Sequence, residues 1–324
     1  MRRTFQGLDG DRGMLHAADT LRSSRRIVLT GMGSSLYALY PLYLRLLDAG
    51  IFVHLVESAE LIHYQPKLLA AADAILAVSQ SGRSAEIVRL LDQRPAGVPL
   101  IAITNDSESP LALNSDITLL LSAGPEVSVS CKTYLASLLA IEWLARLVFH
   151  EDSKTISSHL AKTASAVEDY LSDWREHVEW MISETEGIKK IFLAGRGPSL
   201  AAAETGGLIL KESTRFPAEG MSSAAFRHGP LEAAEQGSMV MVFEGDKRTA
   251  SLNGSLVREV KLAGARGILI GPRGGGPTLL RVSGGCPVPI LEILPVQMLT
   301  LALSARQGCE AGRFERATKV TATE

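Results

Sequence analysis

Two short segments rich in serine and glycine have the composition of a phosphate-binding site. Residues 79–84 read Ser-Gln-Ser-Gly-Arg-Ser, and they follow an apolar run and lead into a helical pattern. A helix N-terminus presents unpaired backbone N–H groups and the positive end of the helix dipole. Serine hydroxyls add donors, and Gly82 lets the backbone approach a ligand closely. The segment therefore predicts an anion cradle.

A second segment, Gly31-Met-Gly-Ser-Ser35, also follows an apolar run and predicts the other wall of the same crevice. Ligands of open α/β sheets bind at the carboxyl ends of the strands. One alternative is that the serines, Ser34 and Ser35 included, only cap their helices; two such turns at one sheet edge favour binding. A dinucleotide site is another alternative, but its fingerprint needs a glycine where Leu36 stands.

The second half of the chain lacks this serine-rich turn. The counterpart of residues 79–84 is residues 243–248, Phe-Glu-Gly-Asp-Lys-Arg, which contain two acidic residues and no serine. Since carboxylates repel a phosphate, we expect one phosphate site per chain, in the first half.

The elements that position these turns are short apolar runs typical of buried parallel strands. The Gly-x-Gly at 31–33 recurs at 195–197, which indicates an internal duplication. The sequence predicts an α/β protein of two tandem Rossmann-like, flavodoxin-type units, each a five-stranded parallel sheet flanked by helices. We expect domains at 1–152 and 187–324, joined by a long amphipathic helix over 153–186. The predicted strands are 27–31, 52–56, 74–78, 100–103 and 117–121, then 191–195, 238–242, 267–270 and 289–293.

Composition excludes several classes of protein. The 324 residues are 46% hydrophobic and carry a net charge of −2, which argues against nucleic-acid binding through a basic face. Three cysteines are too few for a disulfide framework and suit a reducing compartment. Charges and prolines interrupt the apolar stretches 134–149 and 287–305. We therefore expect a cytoplasmic protein with no signal peptide and no membrane partner.

Taken together, the motifs resemble the sugar isomerase (SIS) domain family. From about residue 26 onward the chain is similar to the isomerase half of glucosamine-6-phosphate synthases and to stand-alone sugar-phosphate isomerases and deaminases. The matching segments are 31–35, 79–84, Glu-Val-Ser-Val-Ser-Cys-Lys-Thr-Tyr (126–134), Gly-Arg-Gly-Pro-Ser (195–199), Leu-Lys-Glu (210–212), Ala-Glu-Gly (218–220), Arg-His-Gly-Pro-Leu (227–231) and Lys-Val-Thr-Ala-Thr-Glu (319–324).

The resemblance implies a role for each matching residue. Glu212 matches the base that moves a proton between C1 and C2 of the sugar, and His228 matches the ring-opening histidine that serves the neighbouring subunit's site. Lys319 matches the tail lysine that engages the open-chain carbonyl, and the backbone of Val129 would line the sugar. The 6-phosphate would be held by Ser35, Ser79, Gln80, Ser81 and Ser84, with Ser34 beside them.

The chain also departs from the family pattern. Ile209 stands where the synthases carry a lysine one turn before the base, and their acid seven residues before it falls on Thr205, beside Glu204. Arg83 replaces an acid in the phosphate turn, where it could add charge to the phosphate or face solvent. Position 2 is Arg rather than the nucleophilic Cys of a glutaminase domain, so we expect the chain to lack that domain.

These observations favour an enzyme acting on a hexose or amino-sugar 6-phosphate. The reaction would be aldose–ketose isomerisation, alone or with loss of the C2 amine (a deaminase) or of an amine-linked group (a deglycase). The seven histidines show no ligand spacing, so we expect no metal or other cofactor. The resemblance implies a homodimer that shares its active sites. The alternatives are a non-catalytic sugar-phosphate sensor and, less favoured, a dehydrogenase.

Overall fold

The computed structural model describes residues 1–281, 287–316 and 318–321. The chain divides into two compact units. Unit 1 is Met1–Ala161 together with the C-terminal residues from Arg316, and unit 2 is Lys162–Glu315. The C-terminal tail therefore belongs to the unit that carries the serine-rich turns.

Unit 1 contains the five strands that the apolar runs predict. They form one parallel sheet in the order β2-β1-β3-β4-β5. Every residue of β3 and β4 is buried, because helices cover both faces of the sheet. The strands are β1 (Arg26–Gly31), β2 (Phe52–Glu57), β3 (Ala74–Val78), β4 (Leu100–Thr104) and β5 (Ile117–Leu120).

Helices flank the sheet of unit 1, and α9 is the longest that lies wholly within it. Almost all side chains of α9 are buried, since it packs against α1, α2, α3 and α4. The helices are α1 (Arg2–Leu8), α2 (Arg12–Ser23), α3 (Ser34–Ala38), α4 (Tyr40–Asp48), α5 (Ser58–Tyr64), α6 (Pro66–Ala70), α7 (Ala85–Gln93), α8 (Pro110–Leu113) and α9 (Lys132–Val148).

Unit 2 repeats the arrangement around a parallel sheet in the order β7-β6-β8-β9. Its strands are β6 (Lys190–Gly195), β7 (Ala218–Ser222), β8 (Ser238–Phe243) and β9 (Arg266–Ile270). The remaining helices are α10 (Ser153–Ser172), which starts in unit 1, and α11 (Trp174–Glu184), α12 (Leu200–Thr214), α13 (Ser223–Arg227), α14 (Ala250–Leu262) and α15 (Val288–Gln307). The α/β class and the two parallel sheets are confirmed.

Three details of the prediction are wrong. The described part of unit 2 has four strands rather than five, because the apolar run 289–293 begins α15; a short buried run has the same pattern in a strand and in a buried helix. Strand β7 was not predicted, because its sequence, Ala-Glu-Gly-Met-Ser, contains no apolar run. The connector is two helices, α10 and α11, with Asp173 between them, where a single long helix was expected.

Helix α15 is long and apolar enough to span a membrane by length and composition. Within unit 2, however, 78% of its most apolar window is buried, and it packs against α11 and α12. It is the core helix of this unit, with Pro295 inside it.

Candidate functional site

The two serine-rich turns leave the same edge of the unit 1 sheet on neighbouring strands. Gly31 of β1 pairs in register with Val78 of β3, so residues 32–35 and 79–84 start side by side. A Cβ at Gly31 would lie 2.9 Å from the carbonyl oxygen of Val78, so only glycine permits this approach. The two turns therefore begin next to each other at one edge of the sheet.

Within the second turn, serine side chains shape the loop and do not cap the helix. The Ser79 hydroxyl accepts the N–H of Gly82 at 3.1 Å, and the Ser81 hydroxyl accepts the N–H of Arg83 at 3.2 Å. Ser84 is the N-cap residue of α7, yet its side chain makes no capping bond. A hydroxyl that accepts a bond keeps its own proton to donate. These serines can therefore donate to an anion.

The backbone of this turn is fixed by the loop that follows β4. Gly82 has a φ of +61°, and a Cβ there would meet the Ser109 hydroxyl oxygen at 2.3 Å. The Gln80 carbonyl accepts the N–H of Asn105 at 3.1 Å. In the first turn, the Ser34 hydroxyl is buried and has no hydrogen-bond partner among the residues that the structure describes.

Arg83 links the serine-rich turn, residues 79–84, to the loop that follows β4. Its Nε donates to Asp106 at 2.9 Å, and its Nη2 donates to the carbonyl of Glu108 at 2.9 Å. The N–H of Glu108 and then the Arg83 guanidinium hold the pKa of Asp106 below its usual range. The guanidinium of Arg83 is thus engaged by the loop after β4.

The loop before α9 is organised around Glu126, whose role the sequence analysis missed. The carboxylate accepts backbone N–H groups of Cys131 at 3.1 Å, Lys132 at 2.9 Å and Thr133 at 3.2 Å, and the Thr133 hydroxyl as well. The N-cap residue Cys131 offers no capping side chain. The only signal in the sequence is an acid a few residues before an uncapped apolar helix. Val129, on the same loop, is buried.

The C-terminal tail brings Lys319 to this loop. Its Nζ lies 3.4 Å from Oε2 of Glu126. Two residues on, the carbonyl of Thr321 accepts the N–H of Ala85, the first residue of α7, at 3.0 Å. The structure therefore brings Lys319, Val129 and the serine-rich turn together within unit 1.

Unit 2 carries the two other predicted side chains. Glu212 lies partly buried near the end of α12, just before Arg215, whose left-handed backbone (φ +55°) ends the helix. His228 follows α13 and is exposed on unit 2, with its N–H bonded to the carbonyl of Ala225 at 2.9 Å. Neither residue is a core side chain, which leaves both able to meet a ligand.

Comparison with known proteins decides the family. Residues 20–147 and 186–277, more than half of the chain, match the SIS domain. The chain belongs to the SIS domain family. The duplicated units each contain one matched segment, and the phosphate turn lies in the first.

The relatives of this SIS protein include longer enzymes. It is 28% identical over 343 residues to glutamine–fructose-6-phosphate aminotransferase (isomerizing) of Bacillus subtilis strain 168, covering 100% of this chain and 56% of that protein. The chain thus spans about half the length of the curated relatives it matches.

Solved structures share the fold. The C-terminal domain of glucosamine-fructose-6-phosphate aminotransferase from Francisella tularensis superimposes with a TM-score of 0.82 at 21% identity, covering 96% of this chain and 93% of that one. Glucosamine-6-phosphate deaminase from Thermotoga maritima has a TM-score of 0.77 at 18% identity, covering 95% and 98%.

In the second SIS unit, a buried glutamate contacts the turn that corresponds to the first serine-rich turn of unit 1. The turns after β6 and β8 correspond to those after β1 and β3. Here the Ser199 hydroxyl donates to Oε1 of Glu292 at 2.9 Å. Burial, and then the charges of Glu244 and Asp246, raise the pKa of Glu292 to about 8.

Helix α12 explains the departures from the family pattern. Ile209 is fully buried, so the position of the family's lysine is a core position in this chain. Glu204 is partly buried, and burial followed by the charge of Glu219 raises its pKa to about 7. Gly206 and Gly207 allow close packing. A Cβ at Gly207 would lie 2.3 Å from the backbone nitrogen of Gly220 in β7.

A cavity of about 290 Å³ also lies within unit 2, away from every predicted site residue. Its walls come from α10, α11, α15 and the segment after β9, and they include Tyr170, His177 and Pro277. The phenol of Tyr170 donates to the carbonyl of Pro277 at 3.0 Å.

Proposed function

We propose that this SIS protein is a sugar-phosphate isomerase or amino-sugar-phosphate deaminase that binds a hexose or amino-sugar 6-phosphate at the serine-rich turns of unit 1. The observation that carries the proposal is the convergence of these two turns with the tail lysine in one unit. Serine hydroxyls and the N-terminus of α7 suit a dianionic phosphate. The names of two relatives, a glutamine–fructose-6-phosphate aminotransferase and a glucosamine-6-phosphate deaminase, are consistent with this substrate class.

The phosphate would be held by the hydroxyls of Ser34, Ser35, Ser79, Ser81 and Ser84 and by the amide of Gln80. The turn carries no acid, and its one cation, Arg83, is bonded to Asp106. Recognition would therefore depend on neutral donors and on the dipole of α7.

The chemistry assigned to the remaining residues follows the order of the reaction. His228 would move the proton that opens the sugar ring, since an imidazole ring can both accept and donate a proton. Glu212 would take a proton from one of the two carbons C1 and C2 and return it to the other, through an enediol or, for an amino sugar, an enolamine. Lys319 would polarise the carbonyl or form an imine with it. The backbone of Val129 would line the sugar.

Assembly enters the proposal through His228. We infer a cytoplasmic homodimer in which His228 of each chain serves the site of the partner, without nucleic acid, membrane or cofactor. The exposure of His228 on its own unit supports this role.

The proposal is tested by isotope exchange. The protein is incubated in D₂O with fructose 6-phosphate and, separately, with glucosamine 6-phosphate, and deuterium at C1 and C2 and released ammonia are followed. We expect deuterium incorporation in the native protein. Ammonia from glucosamine 6-phosphate would assign the deaminase type, and exchange without ammonia would assign simple isomerisation.

The variant Glu212→Gln tests the assigned base. It should bind the sugar phosphate as the native protein does and lose deuterium exchange, while the exposed-acid control Glu310→Gln keeps both. Unchanged exchange in Glu212→Gln would contradict the assignment.

A non-catalytic sugar-phosphate sensor is the second candidate. The observation that favours it is the burial of Ile209 at the position of the family's lysine, which leaves α12 with one fewer cation near Glu212. Binding of both sugar phosphates with neither deuterium exchange nor ammonia release would decide for the sensor.

A further inference from the structure

We propose that Glu126 is a positioning residue for Lys319: its carboxylate, fixed at the N-terminus of α9, holds the lysine and with it the C-terminal tail. The proposal deepens the proposed function, because it matters for turnover only if Lys319 acts on the sugar. The contact itself can be tested without turnover.

Glu126 is held rigidly from one side. Three consecutive backbone N–H groups and the Thr133 hydroxyl donate to its two oxygens, and its side chain is only 6% exposed. α9 is 17 residues long, so its free N–H groups and the positive end of its dipole favour a negative charge at this point. The carboxylate is thus an internal anion with a fixed position.

Lys319 is the only cation in the tail segment 318–321, and Glu126 is the acid that it meets. The neighbouring Lys132 does not compete through its side chain, because its ammonium contacts the carbonyl of Pro125. A lysine on a tail has many rotamers, and pairing with a fixed carboxylate restricts them. Glu126 therefore determines where the ammonium group lies.

A second contact holds the tail next to the serine-rich turn at 79–84. The carbonyl of Thr321 accepts the N–H of Ala85 at the start of α7. The tail is thus attached at the N-termini of two helices: α9, whose preceding loop carries Val129, and α7, which follows the phosphate turn. Loss of the Glu126 contact should release the tail at both points, because the two anchors are only two residues apart.

The test uses the full chain and measures hydrogen exchange of the Ala85 amide and of the tail amides by NMR or mass spectrometry. In Glu126→Gln the amide oxygen still accepts the N–H groups of α9, but the charge that holds Lys319 is gone. We expect exchange at these amides to be about three- to tenfold faster. Lys319→Met should have the same effect, and the double variant should exchange no faster than either single variant.

The matched control is Thr133→Val, which removes a hydroxyl bond to Glu126 but leaves the carboxylate. Exchange of the tail should stay at the native rate in this variant. Because Lys319→Met leaves the α9 cap intact, it tests the same contact even if Glu126→Gln does not fold. Native exchange rates in Lys319→Met, or additive effects in the double variant, would overturn the proposal.

Turnover gives the second readout. In Glu126→Gln we expect kcat with the sugar phosphate to fall about three- to tenfold while KM changes less, because the phosphate turn is untouched. A native kcat in a variant whose tail exchanges faster would overturn the positioning role. If the native protein shows no turnover at all, the proposed function fails, whereas the exchange experiment still decides whether Glu126 holds the tail.

Discussion

At the scale of single residues, the two SIS units use equivalent turns in opposite ways. In unit 1 the turns after β1 and β3 present serine hydroxyls, one of them buried without a partner among the described residues. In unit 2 the equivalent turn after β6 presents Ser199, whose hydroxyl donates to the carboxyl group of Glu292. A buried side chain of the same unit thus accepts the bond from the hydroxyl of this turn.

Glu292 should make the stability of unit 2 depend on pH. Its pKa is raised from 4.5 to about 8, so the folded unit binds a proton that the unfolded chain releases above pH 4.5. The contribution of Glu292 to the free energy of unfolding should therefore be greatest below pH 4.5. It should fall between pH 4.5 and 8, by at most about 1.4 kcal/mol per pH unit.

The measurement is the urea midpoint of the native protein and of Glu292→Gln from pH 5 to pH 9. The glutamine keeps an acceptor for Ser199 and cannot ionise, so its midpoint should fall less steeply with pH. The exposed-acid control Glu310→Gln should follow the native slope. Equal slopes in all three proteins would show that Glu292 titrates normally.

At the scale of elements, backbone contact between α12 and β7 fixes the helix that carries Glu212. Gly207 and Gly220 touch without side chains, and a Cβ at Gly220 would lie 2.1 Å from the carbonyl oxygen of Ala203. Glycine within a helix costs about 1 kcal/mol relative to alanine. The close packing of α12 on β7 offsets this cost and holds the helix over the edge strand.

Gly207→Ala should therefore destabilise the protein, although alanine is the better helix former. Its Cβ would meet the backbone of β7 at 2.3 Å, and overpacking of this kind costs about 1–3 kcal/mol. The matched control is Gly254→Ala in α14, whose Cβ would have the Arg273 side chain as its nearest neighbour at 3.6 Å. That variant should be more stable by about 0.5–1 kcal/mol.

Thermal and urea unfolding of both glycine variants test this packing. A stabilising effect of Gly207→Ala would mean that α12 can move away from β7 at little expense. The position of Glu212 would then depend on other contacts of the helix.

At the scale of the whole molecule, the two serine-rich turns and Lys319 belong to unit 1, while Glu212 and His228 belong to unit 2. The tail returns to unit 1 after the chain has completed unit 2. The proposed function therefore assigns roles to residues of both units and, for His228, to a second copy of the chain.

Complementation between inactive variants tests the shared site. Glu212→Gln and His228→Ala should each be inactive alone, and both should sediment as dimers. After the two are unfolded together and refolded, half of the dimers are mixed, and one of the two sites in each has both residues intact. Activity should then recover to about a quarter of the native value.

A mixture that stays inactive while mixed dimers form would place His228 in the site of its own chain. A native protein that sediments as a monomer and is nevertheless active would remove the homodimer from the proposal.

The sequence by itself determined the α/β class, the strands of unit 1 and the positions of the serine-rich turns. These features depend on local signals, namely short apolar runs and Ser/Gly turns that directly follow them. Local signals failed at 289–293, because a short apolar run is compatible with either a strand or a buried helix, and here it lies in α15. They also failed at β7, which contains no apolar run.

Only the tertiary structure decided which side chains meet. The capping of α9 by Glu126, the contact of Glu126 with Lys319 and the bond between Ser199 and Glu292 were all missed. The last two join residues 193 and 93 positions apart. The spacing of apolar residues shows which face of a segment is buried. It does not show which distant residue that segment contacts, because that depends on how the whole chain packs. The residues of the proposed site were therefore found in part from the sequence, and the contacts among them were found from the fold.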